Sequence, residues 1–232
     1  MLNTKLRSII DYISHTYSLP WLKMCSEPAS EVEADGIEYR FETLDSEGDV
    51  ILSVHDPPCD AKIELLACSR ILTLASPVFS VMFSSNFQEG IRVRRGDRPV
   101  VNLEERDVQA MELLLRILHH QAGEIAMSIE PKVIAAMAIQ SDKYHCNKAL
   151  RPWIEHWCNE NQKLSTPEDL GYMLLATYLF ESSNLSNAII RAAKQLKPNS
   201  VPAWREHEVL SVLPETLTGN VYAQTVKAIS NR

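Results

Sequence analysis

Glycine is scarce. Seven Gly among 232 residues is about half the ordinary share of roughly 7%, which argues against phosphate-cradling glycine loops and glycine-rich linkers. Basic charge is also short. The 23 Lys and Arg against 30 Asp and Glu leave a net −7, the wrong sign for a chain built to sit on a phosphate backbone, so nucleic acid is not an expected partner. The five cysteines, Cys25, Cys59, Cys68, Cys146 and Cys158, are odd in number and include no CxxC pair. They suggest neither a disulfide framework nor a zinc knuckle, and a reducing compartment fits them best. Long apolar runs are missing too. The longest, Tyr172 to Phe180, has nine residues against the roughly 20 a bilayer span needs. The start, MLNTKLRSIIDYISHTYS, lacks the apolar stretch of about 7–15 residues that marks a secretory signal. The expectation is an intracellular protein, cytoplasmic and/or nuclear, without a membrane span.

What is present reads as ordinary globular protein, with 45% hydrophobic and 23% charged residues. Acidity is concentrated: Ser26 to Asp60 carries eleven acidic residues and a single basic one, Arg40. Within it, SEPASEVEADG has Val32 as its one larger apolar residue and reads as a solvated linker. Ahead of it, Leu6, Ile9, Ile13 and Tyr17 recur at helical spacing and predict an amphipathic helix that stops before Pro20. The predicted organisation is an N-terminal helix in residues 1–20, an acidic linker in 21–47, a main domain in 48–160 and a helical extension in 161–232.

In the main domain, Val50, Ile51, Leu52 and Val54 predict a strand. Pro57-Pro58 then forces a turn before a second run, Ile63 to Ala67, so the pair reads as a hairpin. Ser69 can cap a short helix through Leu74. Ser76-Pro77 predicts another, with the hydroxyl as N-cap and proline at the first helical position. Residues 99–103, PVVNL, predict a third strand. Asp107 to His120 predicts a helix with Met111, Leu114, Leu115 and Leu118 on one side, closed by Gly123. Helices are then predicted around Glu130–Cys146, Leu150–Trp157, Leu170–Tyr178, Leu185–Leu196 and, across Gly219, Pro214–Ile229. Thr166-Pro167-Glu168-Asp169 is a helix start, with acidic residues beside the positive end of the dipole.

These residues carry a resemblance. The blocks Gly48-Asp49-Val50-Ile51-Leu52, Leu72 with Ala75-Ser76-Pro77-Val78-Phe79, Phe87-Gln88-Glu89-Gly90, Asp107 with Met111 to His119, Asp142-Lys143-Tyr144 and Pro152-Trp153 resemble, in order and spacing, the BTB/POZ domain as it occurs in many fungal proteins. The order of hairpin, helix pair, strand and helices agrees with it independently. The fold implied is α+β: a short β-hairpin and sheet with flanking helices, followed by a C-terminal helical extension outside the resemblance.

The resemblance implies protein partners, and among those of the family it points to two uses. In BTB adaptors of cullin ubiquitin ligases a hydrophobic-x-Glu triplet after the helix pair contacts the cullin scaffold, and Phe87-Gln88-Glu89 is similar in type and place. Corepressor recruitment uses a charged pocket of an Asp at the first strand and a Lys in the first core helix. Asp49 matches the acid, but Ser69 stands at the Lys position, so half the pair is absent. Family dimers exchange N-terminal segments, to which the helix in residues 6–17 would contribute here.

The remaining polar residues read as structural. His119-His120 end a helix, where imidazolium would complement the dipole. Cys146 and Cys158 read as small buried hydrophobes rather than metal ligands beside His145 and His156. Glu104-Glu105 and Glu168-Asp169 read as helix caps. The arginine cluster Ile91 to Arg98 reads as a solvated loop between helix and strand, with nuclear import or an acidic partner as the sharper reading. No catalytic motif, metal site or cofactor is expected. The predicted function is a scaffold or adaptor, with a cullin-type ubiquitin ligase as the finer reading; the alternative is a transcription-associated or structural homodimer without a ligase.

Overall fold

The computed structural model describes residues 38–230 except 57–60, 104, 106, 124–128, 160–163, 165 and 198. Chain contacts separate Met1–Gly36 from Ile37–Arg232, and the second unit is described here. The predicted helix at residues 6–17, the SEPASEVEADG segment, the Pro57-Pro58 turn and Glu104 lie outside the described residues.

A four-stranded sheet opens the unit: β1 (Glu38–Thr43), β2 (Val50–Asp56), β3 (Ala61–Ala67) and β4 (Val100–Leu103), in the order β1-β3-β2-β4. β2 and β3 form the predicted antiparallel hairpin, with Leu52 opposite Leu65 and Val54 opposite Ile63. β1 joins β3 in parallel and β4 joins β2 in parallel. Alternation then sorts the side chains: Val50, Leu52, Val54, Ile63, Leu65 and Ala67 are all fully buried on one face. The predicted third strand is therefore the fourth.

β1 occupies part of the stretch read as linker. Tyr39, Phe41 and Thr43 are good strand formers, but the intervening Arg40 and Glu42 made the segment look solvated. Those two charges instead meet the helix Val108–Leu118: Arg40 bonds Glu112 at 2.9 Å, and Arg116 bonds Glu42 at 3.1 Å and Glu112 at 2.9 Å.

Three short helices cross from the hairpin to β4: α1 (Ser69–Ala75), α2 (Pro77–Met82) and α3 (Gln88–Arg95). The arginine cluster predicted as a loop is thus mostly helix. Glu89 in its first turn and Arg92, Arg94 and Arg95 in its last suit the dipole, and Gly96 ends it in the left-handed region at φ 81°. The N-cap of α1 is Cys68, not Ser69, which is the first helical residue. α4 (Val108–Leu118) is capped by Asp107, whose Oδ1 accepts from the Ala110 N–H at 2.8 Å. It stops before His119, two residues short of prediction, with His120 rather than Gly123 making the first left-handed turn.

The remaining helices are α5 (Pro131–Tyr144), α6 (Asn147–Trp157), α7 (Pro167–Leu179), α8 (Leu185–Gln195), α9 (Ser200–Ala203) and α10 (Glu215–Ser230). Thr166 and Asp169 close a reciprocal capping box on α7, each bond 3.0 Å. α5 packs on α7, α7 on α8 and α8 on α10, so the extension grows by layering helix upon helix. Sequence periodicity did not show α9 or the two 3-10 turns, Trp204–Glu206 and Leu210–Val212. They are anchored by Trp204, 2% exposed, whose indole lies against Gly171 of α7 so closely that a Cβ there would sit 2.9 Å from Cε2.

His119 corrects its sequence reading. It is buried, its Nδ1–H donates to the Leu115 carbonyl at 2.8 Å, and its Nε2 accepts from the Cys68 N–H at 3.1 Å. An imidazolium has no acceptor nitrogen, so the ring is neutral. Burial, opposed by weaker hydrogen-bond and charge effects, pushes its pKa below the ordinary value. Because the folded pKa lies below the unfolded one, the unfolded chain binds the proton more readily. The contribution is therefore complete above about pH 6.5 and is lost as pH falls below it. The expected result is a denaturation midpoint that drops on acidification from that point in the wild type, with a shallower slope in His119→Gln. Equal slopes in the two proteins would refute it.

Candidate interaction surface

The segments that resemble a known family hold one another together. Ser76 is 1% exposed. Its Oγ accepts from the Phe79 N–H at 3.1 Å, capping α2 as predicted, and donates to the Tyr144 carbonyl at 2.5 Å. That ties the start of α2 to the end of α5. Tyr144 stacks on Phe79, with centroids 4.7 Å apart, and its hydroxyl donates to Glu105 Oε1 at 2.8 Å, where Lys143 Nζ also donates at 2.6 Å. Glu105, read from sequence as a cap, is instead a nearly buried acceptor of a charge-assisted pair.

The structure brings Asp49 and Ser69 together. Asp49 Oδ1 accepts from the Ser69 N–H at 2.7 Å and Oδ2 from its hydroxyl at 2.8 Å. Both carboxylate oxygens are engaged at the start of α1, where the free helix N–H groups and dipole favour an anion. Asp49 thus caps the helix from another segment, in the role sequence analysis assigned to Ser69.

Phe87, Gln88 and Glu89 lie where α2 gives way to α3. Phe87 is the N-cap of α3 and 44% exposed, and Gln88 is exposed beside it. Glu89 is half-buried, because the 100° step between helical residues turns it away from Gln88. The buried Gly90 lets this turn pack closely. A Cβ there would sit 2.0 Å from the Ser84 carbonyl oxygen and 2.4 Å from that of Phe83, so α3 rests directly on backbone.

The BTB/POZ domain family matches residues 41–160, just over half of the chain. The chain belongs to the BTB/POZ family. A comparison with curated proteins finds no match. The BTB/POZ domain is a protein–protein interaction domain, and its surfaces are the places to look for function.

Other predicted groups sit in the BTB/POZ core or apart. Burial pushes the Cys146 thiol up to about 11 and raises that of Cys158, so both remain protonated and unreactive near neutrality. Trp153 and Trp157 stack at 6.1 Å on the predicted contact face of α6. Among the described residues no three His, Cys, Asp or Glu side chains are grouped to hold a metal ion, and no helix is long and apolar enough to cross a membrane. Sequence reasoning missed Ile91, 38% exposed one turn after Phe87; its place in an arginine run read as loop concealed it.

Proposed function

We propose that this BTB/POZ protein is a non-catalytic adaptor that presents the turn at Phe87-Gln88-Glu89 to a cullin scaffold. The observation that carries this reading is Phe87 itself, a large apolar side chain left 44% exposed at the cap of a helix seated on backbone through Gly90. Apolar anchors on rigid supports are what interfaces use for affinity. Two features support an adaptor over the other readings. Asp49 has both oxygens hydrogen-bonded to Ser69, where a charged recruitment pocket would have it face a lysine. Among the described residues, the groove of about 340 Å³ between α7 and α8 sets Cys158, Arg191 and Lys194 among apolar and amide side chains, and burial raises the pKa of the Cys158 thiol, so these residues do not form the nucleophile and base pair that hydrolytic chemistry calls for.

The test is capture of purified cullin scaffold by the full chain. The double variant Phe87→Ala/Glu89→Ala should lose at least about 2 kcal/mol of binding, roughly thirtyfold, as for a central interface anchor. Retention of the cullin at wild-type level would remove the reading.

A further inference from the structure

The exposed side of α3 is not the triplet alone. Gln88, Ile91, Arg92 and Arg95 fall within an arc about 100° wide, and all four are exposed, whereas Glu89 and Val93 are half-buried and Gly90 is buried. Phe87 lies one turn before Ile91, joined to it by the Ile91 N–H bond to the Phe87 carbonyl at 3.1 Å. These two apolar side chains, 44% and 38% exposed, form a patch bordered by cations. Arg98, just past the helix, is exposed with a left-handed backbone, φ 44°. Among the described residues, none of Arg92, Arg95 and Arg98 has a carboxylate within salt-bridge distance. Arg94 differs, since its Nε donates to the Gly90 carbonyl at 3.2 Å and its Nη2 to that of Phe83 at 3.4 Å. Its bond to Phe83 ties α3 to the segment before it, while the other three are exposed. Ile91 to Arg98 holds four arginines and one aspartate in a chain of net charge −7.

We propose that this face docks an acidic protein surface that seats an apolar side chain against Phe87 and Ile91 and sets carboxylates against Arg92, Arg95 and Arg98. The inference rests on the adaptor reading and names the chemistry its partner must bring. Guanidinium forks match carboxylates in pairs, and a ring of charge around an apolar spot both steers encounter and excludes wrong partners. A phosphate backbone would satisfy the arginines but leave the apolar pair uncovered, and the negative charge of the rest of the chain would oppose its approach.

The test measures affinity of the full chain for purified cullin scaffold at low and high salt. Wild-type affinity should fall with salt. Arg92→Glu/Arg95→Glu should weaken binding by about tenfold or more at low salt and flatten the salt dependence, since two favourable charge contacts become repulsive. Arg92→Lys/Arg95→Lys, which keeps the charge, should retain most of the binding, and both variants should melt with the wild type. If charge reversal leaves binding untouched while Phe87→Ala/Glu89→Ala abolishes it, the acidic-partner inference falls and the adaptor reading stands. If the wild type does not bind the scaffold, both fall. If it binds a short DNA duplex and charge reversal abolishes that binding, the face is a nucleic-acid site and the inference is overturned.

Discussion

Gly90→Ala is expected to lower unfolding stability by about 3 kcal/mol or more, at or beyond the upper end of ordinary overpacking costs. The new methyl would lie 2.0 Å from the Ser84 carbonyl oxygen and 2.4 Å from the Phe83 carbonyl carbon and oxygen. These are backbone atoms, so no rotamer change relieves the clash. Either α3 lifts, which breaks the Arg94 bond to the Phe83 carbonyl, or the end of α2 is pushed away from the Phe79 and Tyr144 stack. Gly96→Ala is the control. Gly96 has open space around it but a φ of 81°, so alanine there brings backbone strain of about 1–2 kcal/mol and no collision. Chemical denaturation of both variants separates the two effects. A Gly90→Ala cost no larger than that of Gly96→Ala would mean that α3 is not seated on backbone, and the rigid presentation of Phe87 would fall with it.

That glycine shows what the sequence could and could not reveal. Phe87-Gln88-Glu89-Gly90 was legible as a block because its residue types and order resemble a family, yet no periodicity says that Gly90 faces a carbonyl. The hairpin, Ser76-Pro77 and Asp107 were legible because strand alternation and side-chain caps are local rules. β1 was not, because Arg40 and Glu42 find their partners on α4, some seventy residues away, and charges in an acidic run look solvated until those partners are placed. His119 was misread for the same reason. A histidine at a helix end is by default a cation at a negative dipole, and it takes the Cys68 N–H, 51 residues upstream, to make it a neutral acceptor. Asp49 and Ser69 stood out in the sequence only as a charged pair with half missing; that the acid caps the helix and the serine donates to it depends on two segments twenty residues apart.

The family match ends at residue 160, but the packing does not, and Trp157→Ala tests that difference. Trp157 is fully buried on α6. It stacks with Trp153 on one side and meets Phe180, just after α7, at 6.0 Å on the other. Two hydrogen bonds run beside it: Asn147 Nδ2 donates to the Leu179 carbonyl at 2.9 Å, and Asn184 Nδ2 to the Cys158 carbonyl at 3.2 Å. α6 is therefore a second link, beside the larger packing of α5 on α7, between the BTB/POZ segment and the helices that follow. Truncation to alanine removes a large aromatic and leaves a cavity, an expected loss of about 3–5 kcal/mol. The loss should also be uneven. The sheet and α1 to α4 have their own buried face, whereas α7, α8 and α10 are stacked on α5 and on one another, with Trp157 of α6 against Phe180. Amide exchange in Trp157→Ala should accelerate most in residues 167–230 and least in β2 and β3. Uniform acceleration along the chain would mean that the extension and the BTB/POZ segment unfold as one unit, and that α6 is interior core rather than a link between two parts.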